Sequence, residues 1–358
     1  MDKGILDLYT DYLLVSTAQT TATGMSDMLE GRLSHDKITR FLSKDDFTSK
    51  DLWKLVKPTV REIEQQPGPS YLILDDTVEA KPHTDESELI CWHFDHTVGK
   101  SVKGVNQLSC LLYRAGVSLP VGMELIKKDR WITDKKTGKQ KRVASTDKQT
   151  LFRQMVSSAC QNLSEVDYLL ADTWFASAEN MRHIKEGHKT EFIMPLKTNR
   201  KVSMVGDNGE EKRTDQLQLQ EGQTVEIQLE QVDFPLLLTK AVYHNKDGSQ
   251  GVLYLVSSKL SLSGEQIRDV YSNRWKVEEM YKSVKSNASY PKSPTKTVRT
   301  QANHFFCSMV AFWKLERLKM KTNLNHFAMK AILYKNAVKT AFKQLSDIKA
   351  QLNIEVGA

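Results

Sequence analysis

The residues best suited to chemistry lie in the stretch Tyr271-Ser-Asn-Arg274-Trp275-Lys-Val-Glu278-Glu279-Met-Tyr281-Lys282-Ser-Val-Lys285. A carboxylate spaced among cations suits work on a phosphodiester, because the acid can hold a hard metal ion while the cations neutralise phosphate. Read as one helix at ~100° per residue with Tyr271 at zero, Arg274, Glu278 and Lys285 fall at roughly 300°, 340° and 320°. Four polar side chains then share one stripe. Val270, Val277, Tyr281 and Val284 lie between roughly 220° and 280°, so an apolar stripe runs beside the polar one and holds it at the edge of a core. Glu279 falls at roughly 80°, which selects Glu278 as the working carboxylate and leaves Glu279 to solvent. The competing reading is an exposed amphipathic helix with scattered charge.

Two further acids close apolar runs. Tyr71-Leu-Ile-Leu-Asp75-Asp76-Thr77 and Tyr168-Leu-Leu-Ala-Asp172-Thr-Trp174-Phe read as buried strands whose tips reach a site. An Asp in such a place also serves as a turn former or helix cap. Asp75 and Asp172 lie 97 residues apart, and Asp172 and Glu278 lie 106 apart, so only a fold could unite them.

The pattern Tyr-x-x-Arg-x-x-x-Glu-x-x-x-x-x-x-Lys, complete at Tyr271, Arg274, Glu278 and Lys285, resembles the YREK motif of bacterial insertion-sequence DDE transposases. The resemblance implies an α/β fold: a ribonuclease H-like mixed sheet flanked by helices, with a β-rich insertion and helical N- and C-terminal regions. It implies that Asp75, Asp172 and Glu278 are catalytic and bind Mg²⁺, with Mn²⁺ able to substitute, and that Tyr271, Arg274 and Lys285 hold DNA phosphate. Trp275 and Lys282 join them as expected DNA-binding residues; Trp275 and Trp174 could stack on an unpaired base, although each is more often a core aromatic. The family places Ser or Thr two positions after its first Asp, which favours Asp75, with Thr77, over Asp76; strand alternation sends Asp76 to the opposite face. The implied partners are double-stranded DNA, as transposon ends and target, and a second copy in a homodimeric synaptic complex. A ribonuclease H-like nuclease without strand transfer and a catalytically silent transposase-derived DNA-binding protein are the alternatives.

Composition agrees with this and decides little. The 358 residues carry 51 Lys plus Arg against 44 Asp plus Glu, a net charge of +7, which favours an anionic partner. Cys91, Cys110, Cys160 and Cys307 form no Cys-x-x-Cys pair, so neither a zinc site nor a disulfide framework is suggested. No apolar run approaches the ~18 residues of a membrane helix and no signal-like block opens the chain; the expectation is a soluble, cytoplasmic, nucleoid-associated protein.

The elements that must position these residues fall into five stretches. Residues 1–66 read as helical, and Met25 to Glu30 followed by a helix capped at Ser34 resembles a helix-turn-helix offering His35, Lys37, Arg40 and Lys44 to DNA; a plain helical hairpin is the alternative. After the linker Gln65-Gln-Pro-Gly-Pro69, residues 70–197 form the first part of the core. There His93 to His96 and Gly99 to Gly104 read as a polar turn before two meander strands, around Leu108 to Tyr113 and Val117 to Ile126. Gly99-Lys-Ser101 resembles a phosphate loop but lacks its preceding Gly and following helix, so nucleotide binding is rejected there. Alternation splits His93, Asp95 and His96 between strand faces, which favours structural or DNA-adjacent roles over a metal site. Lys127 to Arg142 reads as a basic loop able to contact phosphate. Residues 198–250, with turns at Asp207-Asn-Gly, Glu221-Gly and Asn245-Lys-Asp-Gly, read as the β-rich insertion. Residues 251–290 return to the core with the YREK helix, and 291–358 are helical and basic, with Phe305, Phe306, Met309, Phe312 and Trp313 as a packing face.

Overall fold

The computed structural model describes residues 1–95, 98–135, 137–206, 210–244 and 247–352. In chain order the elements are α1 (Lys3–Val15), α2 (Ala22–Met28), α3 (His35–Lys44), α4 (Ser49–Glu64), β1 (Tyr71–Ala80), β2 (Cys91–Asp95), β3 (Lys100–Arg114), β4 (Val117–Leu125), β5 (Arg130–Thr133) and β6 (Gln140–Val143). They continue with α5 (Lys148–Asn162), β7 (Tyr168–Ala171), α6 (Ala178–His188), β8 (Glu191–Leu196), β9 (Lys201–Met204), β10 (Glu211–Arg213), β11 (Thr224–Gln228), β12 (Leu236–His244) and β13 (Gln250–Ser257). Four helices close the chain: α7 (Gly264–Ser272), α8 (Trp275–Asn287), α9 (Val298–Thr322) and α10 (His326–Gln351). There are two compact units: Phe47–Tyr281 with Lys296–Val298, and Met1–Asp46 with Lys282–Thr295 and Arg299–Ala358.

The first unit is a mixed α/β structure built on an eleven-stranded sheet, ordered β10-β9-β11-β12-β13-β8-β7-β1-β3-β2 with β4 also on β3. At its centre β1, β7 and β8 run parallel. Leu72, Ile73 and Leu74 are each 0% exposed; consecutive strand residues face opposite ways, so both faces of the sheet are covered there, and this is why these strands read as unbroken apolar runs. Tyr113, Tyr71 and Tyr168 stack across β3, β1 and β7 with centroids 6.0 Å apart at each step. Strands β9 to β12 continue this same sheet, so the stretch expected as an insertion lengthens one side of the sheet. The turns expected at Asp207 to Gly209 and at Asn245 and Lys246 lie outside the described residues, as does His96.

Several boundaries differ from the sequence expectation. Strand β1 does not end at its acids but runs on to Ala80, pairing with β3 from Tyr71↔Tyr113 to Ala80↔Gly104. The stretch read as a polar turn contains β2 and the start of β3. Gly104, taken for a turn residue, sits inside β3 where an added Cβ would lie 2.2 Å from the Glu79 carbonyl oxygen; its role is close strand approach. The basic loop after β4 contains a two-stranded ribbon, β5 paired with β6. Gly187 lies within α6, whose end is capped by Lys189 in the left-handed region at φ 54°.

The second unit is helical. Phe305, Phe306, Met309 and Phe312 of α9 are buried. His304 Nδ1 pairs with the Tyr9 hydroxyl at 3.0 Å, and Asn303 Nδ2 donates to the carbonyls of Leu42 and Asp45. Ile38, Phe41 and Leu42 of α3 are buried while His35, Lys37, Arg40 and Lys44 are exposed.

Candidate active site

The site starts from the parallel ladder of β1 and β7. Its last paired position is Leu74↔Ala171, so Asp75 and Asp172 are the next residues after that pair, Asp75 still on β1 and Asp172 just past the end of β7. Strand β7 stops at Ala171, and the Asp172 side chain accepts from Thr173 N at 2.6 Å to cap the short 3-10 turn Thr173–Phe175. The capping role weighed against a functional one is therefore real, and it leaves Asp172 exposed.

Asp75 is 8% exposed. Its Oδ2 accepts from Arg274 Nη1 at 2.7 Å, and the same nitrogen lies 3.5 Å from Glu278 Oε1. One guanidinium thus joins an acid of β1 to an acid of α8. Burial, and then the negative charge of Glu278, Asp76 and Asp172, push the Asp75 carboxyl up to about 7, while Arg274 opposes the shift. Burial lowers the pKa of Arg274, but Tyr271, Asp75, Asp172 and Glu278 outweigh it and raise that pKa overall. Tyr271 is buried, and desolvation keeps its hydroxyl protonated far above the ordinary range.

The neighbours Asp76 and Glu279 are engaged elsewhere. Asp76 Oδ2 accepts from Lys148 Nζ at 2.7 Å and from Asn106 Nδ2 at 2.8 Å. Glu279 is exposed and pairs with Lys276 at 3.0 Å. Alternation along β1 and rotation along α8 account for both separations.

The stretch from Tyr271 to Lys285 is not one continuous helix. Helix α7, opened by the Ser263–Gln266 capping box, stops at Ser272 and α8 starts at Trp275. Between them Asn273, Arg274, Lys276 and Val277 donate to carbonyls three residues back, a 3-10 tightening that turns the chain faster than 100° per residue. The angular relation between Tyr271 and the rest therefore shifts, while Glu278 and Lys285 keep their seven-residue spacing within α8.

Trp275 is 61% exposed and Trp174 50% exposed; Lys148 Nζ lies 5.9 Å from the Trp174 ring. Lys285, half-buried, and Lys282, exposed with its Nζ 5.5 Å from the Phe327 ring, belong to the helical unit. His93 is buried, its Nε2 3.2 Å from Cys91 Sγ. Two site residues were missed. The Tyr281 hydroxyl, read only as part of an apolar stripe, donates to the Asp75 carbonyl at 2.7 Å and pins α8 to β1. Burial raises the pKa of the Tyr243 hydroxyl on β12, against a lowering pull from Arg268 and then Arg274, so Tyr243 belongs near the same charged group. A tyrosine in an apolar stripe has a hydroxyl that needs a partner, and that signal was available for Tyr281.

The donor chemistry fits a hard divalent cation. The carboxylates of Asp75 and Glu278 face one guanidinium, and burial first, then neighbouring negative charge, raises Asp75; a bound cation would offset both. In the arrangement seen, Arg274 holds the Asp75 oxygen, and among the described residues no three His, Cys, Asp or Glu side chains are grouped closely enough to hold an ion.

The family profile described as DDE superfamily endonuclease matches residues 3–218, and the chain belongs to that family. The matched span contains Asp75 and Asp172 and stops before Glu278. A search of curated proteins found no match. Among solved structures, the Drosophila P element transposase strand transfer complex matches at 9% identity with a TM-score of 0.30, covering 59% of this chain and 46% of that chain. The chain thus spans under half the length of that protein.

Proposed function

We propose that this DDE superfamily endonuclease is a transposase that binds the terminal inverted repeats of its own insertion sequence, cleaves them with Mg²⁺, and joins the 3′ ends to target DNA in the bacterial cytoplasm. The observation that carries the reading is the meeting of Asp75, Arg274 and Glu278, with Asp75 and Asp172 each following the last pair, Leu74↔Ala171, of the parallel ladder. Asp75, Asp172 and Glu278 would hold the metal, with Mn²⁺ able to replace Mg²⁺; when bound, the ions supply an activated attacking hydroxyl and charge stabilisation of the departing oxygen. No side chain need be a covalent nucleophile. Arg274, which neutralises Asp75 in the resting protein, would pass to DNA phosphate through its planar fork. Tyr271 backs Arg274, while Lys282 and Lys285 would neutralise phosphate further along the strand and Trp275 would stack on an unpaired base.

Synapsis of two ends calls for two copies. Val338, Ala341, Leu345, Ile348 and Leu352 recur at alternating spacings of three and four along α10, and Val338, Leu345, Ile348 and Leu352 are each more than half exposed. A seam of this kind supports pairing with a second α10. In a parallel pair, the flanking Gln344 would meet Lys349 and Ala337 would meet Phe342, so no like charges oppose there.

The test is cleavage and joining of a duplex carrying the inverted repeats that flank the gene. Mg²⁺-dependent nicking followed by transfer into a second duplex is expected. Nicking without transfer would assign a ribonuclease H-like nuclease, and binding without nicking a silent DNA-binding protein.

A further inference from the structure

The ribbon formed by β5 and β6 has no place in the site described so far. All four residues of β5 are exposed, so neither face of this strand rests on a core. A two-stranded hairpin is marginal alone in water and gains stability by packing on something. Between Lys127 and Arg142 the sequence places eight cations against two carboxylates. The root is fastened: Asp129 accepts from Ser145 N at 2.7 Å, Arg142 lies 3.6 Å from Glu86, and Lys128 Nζ donates to the Trp92 carbonyl on β2. Toward the tip the charge is unspent, since Lys135 and Lys139 are exposed and make no ion pair among the described residues.

The ribbon also carries an aromatic. Trp131 is 53% exposed, with the Arg142 guanidinium 4.4 Å from its ring centre on the paired strand. Trp92 and Phe94, both 55% exposed, stand on β2, the strand to which Lys128 ties the root. Exposed basic and aromatic side chains thus occur together on the ribbon, the combination that follows a nucleic-acid backbone while offering rings to sugars and bases. Two paired strands ~5 Å apart also fit a B-DNA major groove ~12 Å wide.

We propose that the β5–β6 ribbon is a duplex-DNA-binding arm that enters the major groove, with Lys135 and Lys139 on phosphate and Trp131 against the groove wall. The arm rests on the reading of DNA as substrate and adds an anchoring contact separate from the carboxylates.

The experiment is fluorescence anisotropy of full-length protein on a labelled duplex, without divalent metal, across a salt series. Lys135→Gln/Lys139→Gln is expected to weaken binding at least tenfold near 0.1 M salt and to flatten the log–log salt slope by about 2, near one unit per phosphate contact. Trp131→Ala is expected to weaken binding several-fold with the slope unchanged. Circular dichroism matching wild type shows that the variants fold. Wild-type affinity and slope in both variants overturn the arm while leaving the DNA reading intact. Absence of duplex binding by the wild type, or preference for RNA of equal length, overturns both.

Discussion

At the scale of single residues, neighbouring acids have separate fates. Asp76→Asn leaves Lys148 without its ion pair and is expected to cost about 1–3 kcal/mol of stability, read by urea denaturation, while nicking persists. Burial, and then Lys128 and Lys148, lower the pKa of His93 to about 4, against a weaker pull from Asp76. An unfolded His titrates near ~6.5, so below that pH the unfolded chain binds a proton the folded chain refuses. Stability is therefore lost as pH falls from about 6.5 towards about 4, by on the order of 3 kcal/mol from this group. His93→Gln is expected to flatten that part of the pH profile. That Glu278 and Glu279, and Asp75 and Asp76, take different partners was legible in the sequence, because side-chain direction follows from helix and strand period; the preference for Asp75 as first ligand came from the Thr77 two positions on, a family resemblance. The contact of Arg274 with Asp75, 199 positions away, was not, because it depends on tertiary packing.

At the scale of elements, the Tyr281 hydroxyl on the Asp75 carbonyl ties α8 to β1 beside the Arg274 bridge. Tyr281→Phe is expected to cost about 1–2 kcal/mol in denaturant midpoint experiments and to slow nicking. Phenylalanine keeps the ring packing, so a slower rate in a folded variant reports placement of Glu278 against Asp75. Sequence periodicity placed the central strands, since Leu72 to Leu74 and Leu169 to Ala171 are apolar without interruption. It failed where polar residues form strands: β2, the start of β3, and the ribbon of β5 and β6 are held by cross-strand hydrogen bonds, and they carry no apolar run. It failed again at Asn273 and Arg274, where a 3-10 tightening breaks a helix whose residue types gave no sign of it.

At the scale of the whole molecule, three features carry the proposal: a sheet whose parallel strands β1 and β7 lead to Asp75 and Asp172, a broken helix that adds Arg274 and Glu278, and a long terminal helix with an exposed apolar seam. The proposed pairing of α10 predicts a dimer in sedimentation that Leu345→Asp converts to monomer, with the helical content of α10 retained. The membership in the DDE superfamily endonucleases covers residues 3–218, so the contribution of Glu278 rests on geometry. The most direct measurement is therefore Mg²⁺-dependent nicking of an end-bearing duplex by the wild type, Asp75→Asn, Asp172→Asn, Glu278→Gln and Glu279→Gln. Loss of at least a hundredfold in the first three variants, with Glu279→Gln near wild type, is the expected result; full activity in Asp75→Asn, Asp172→Asn or Glu278→Gln would contradict the account.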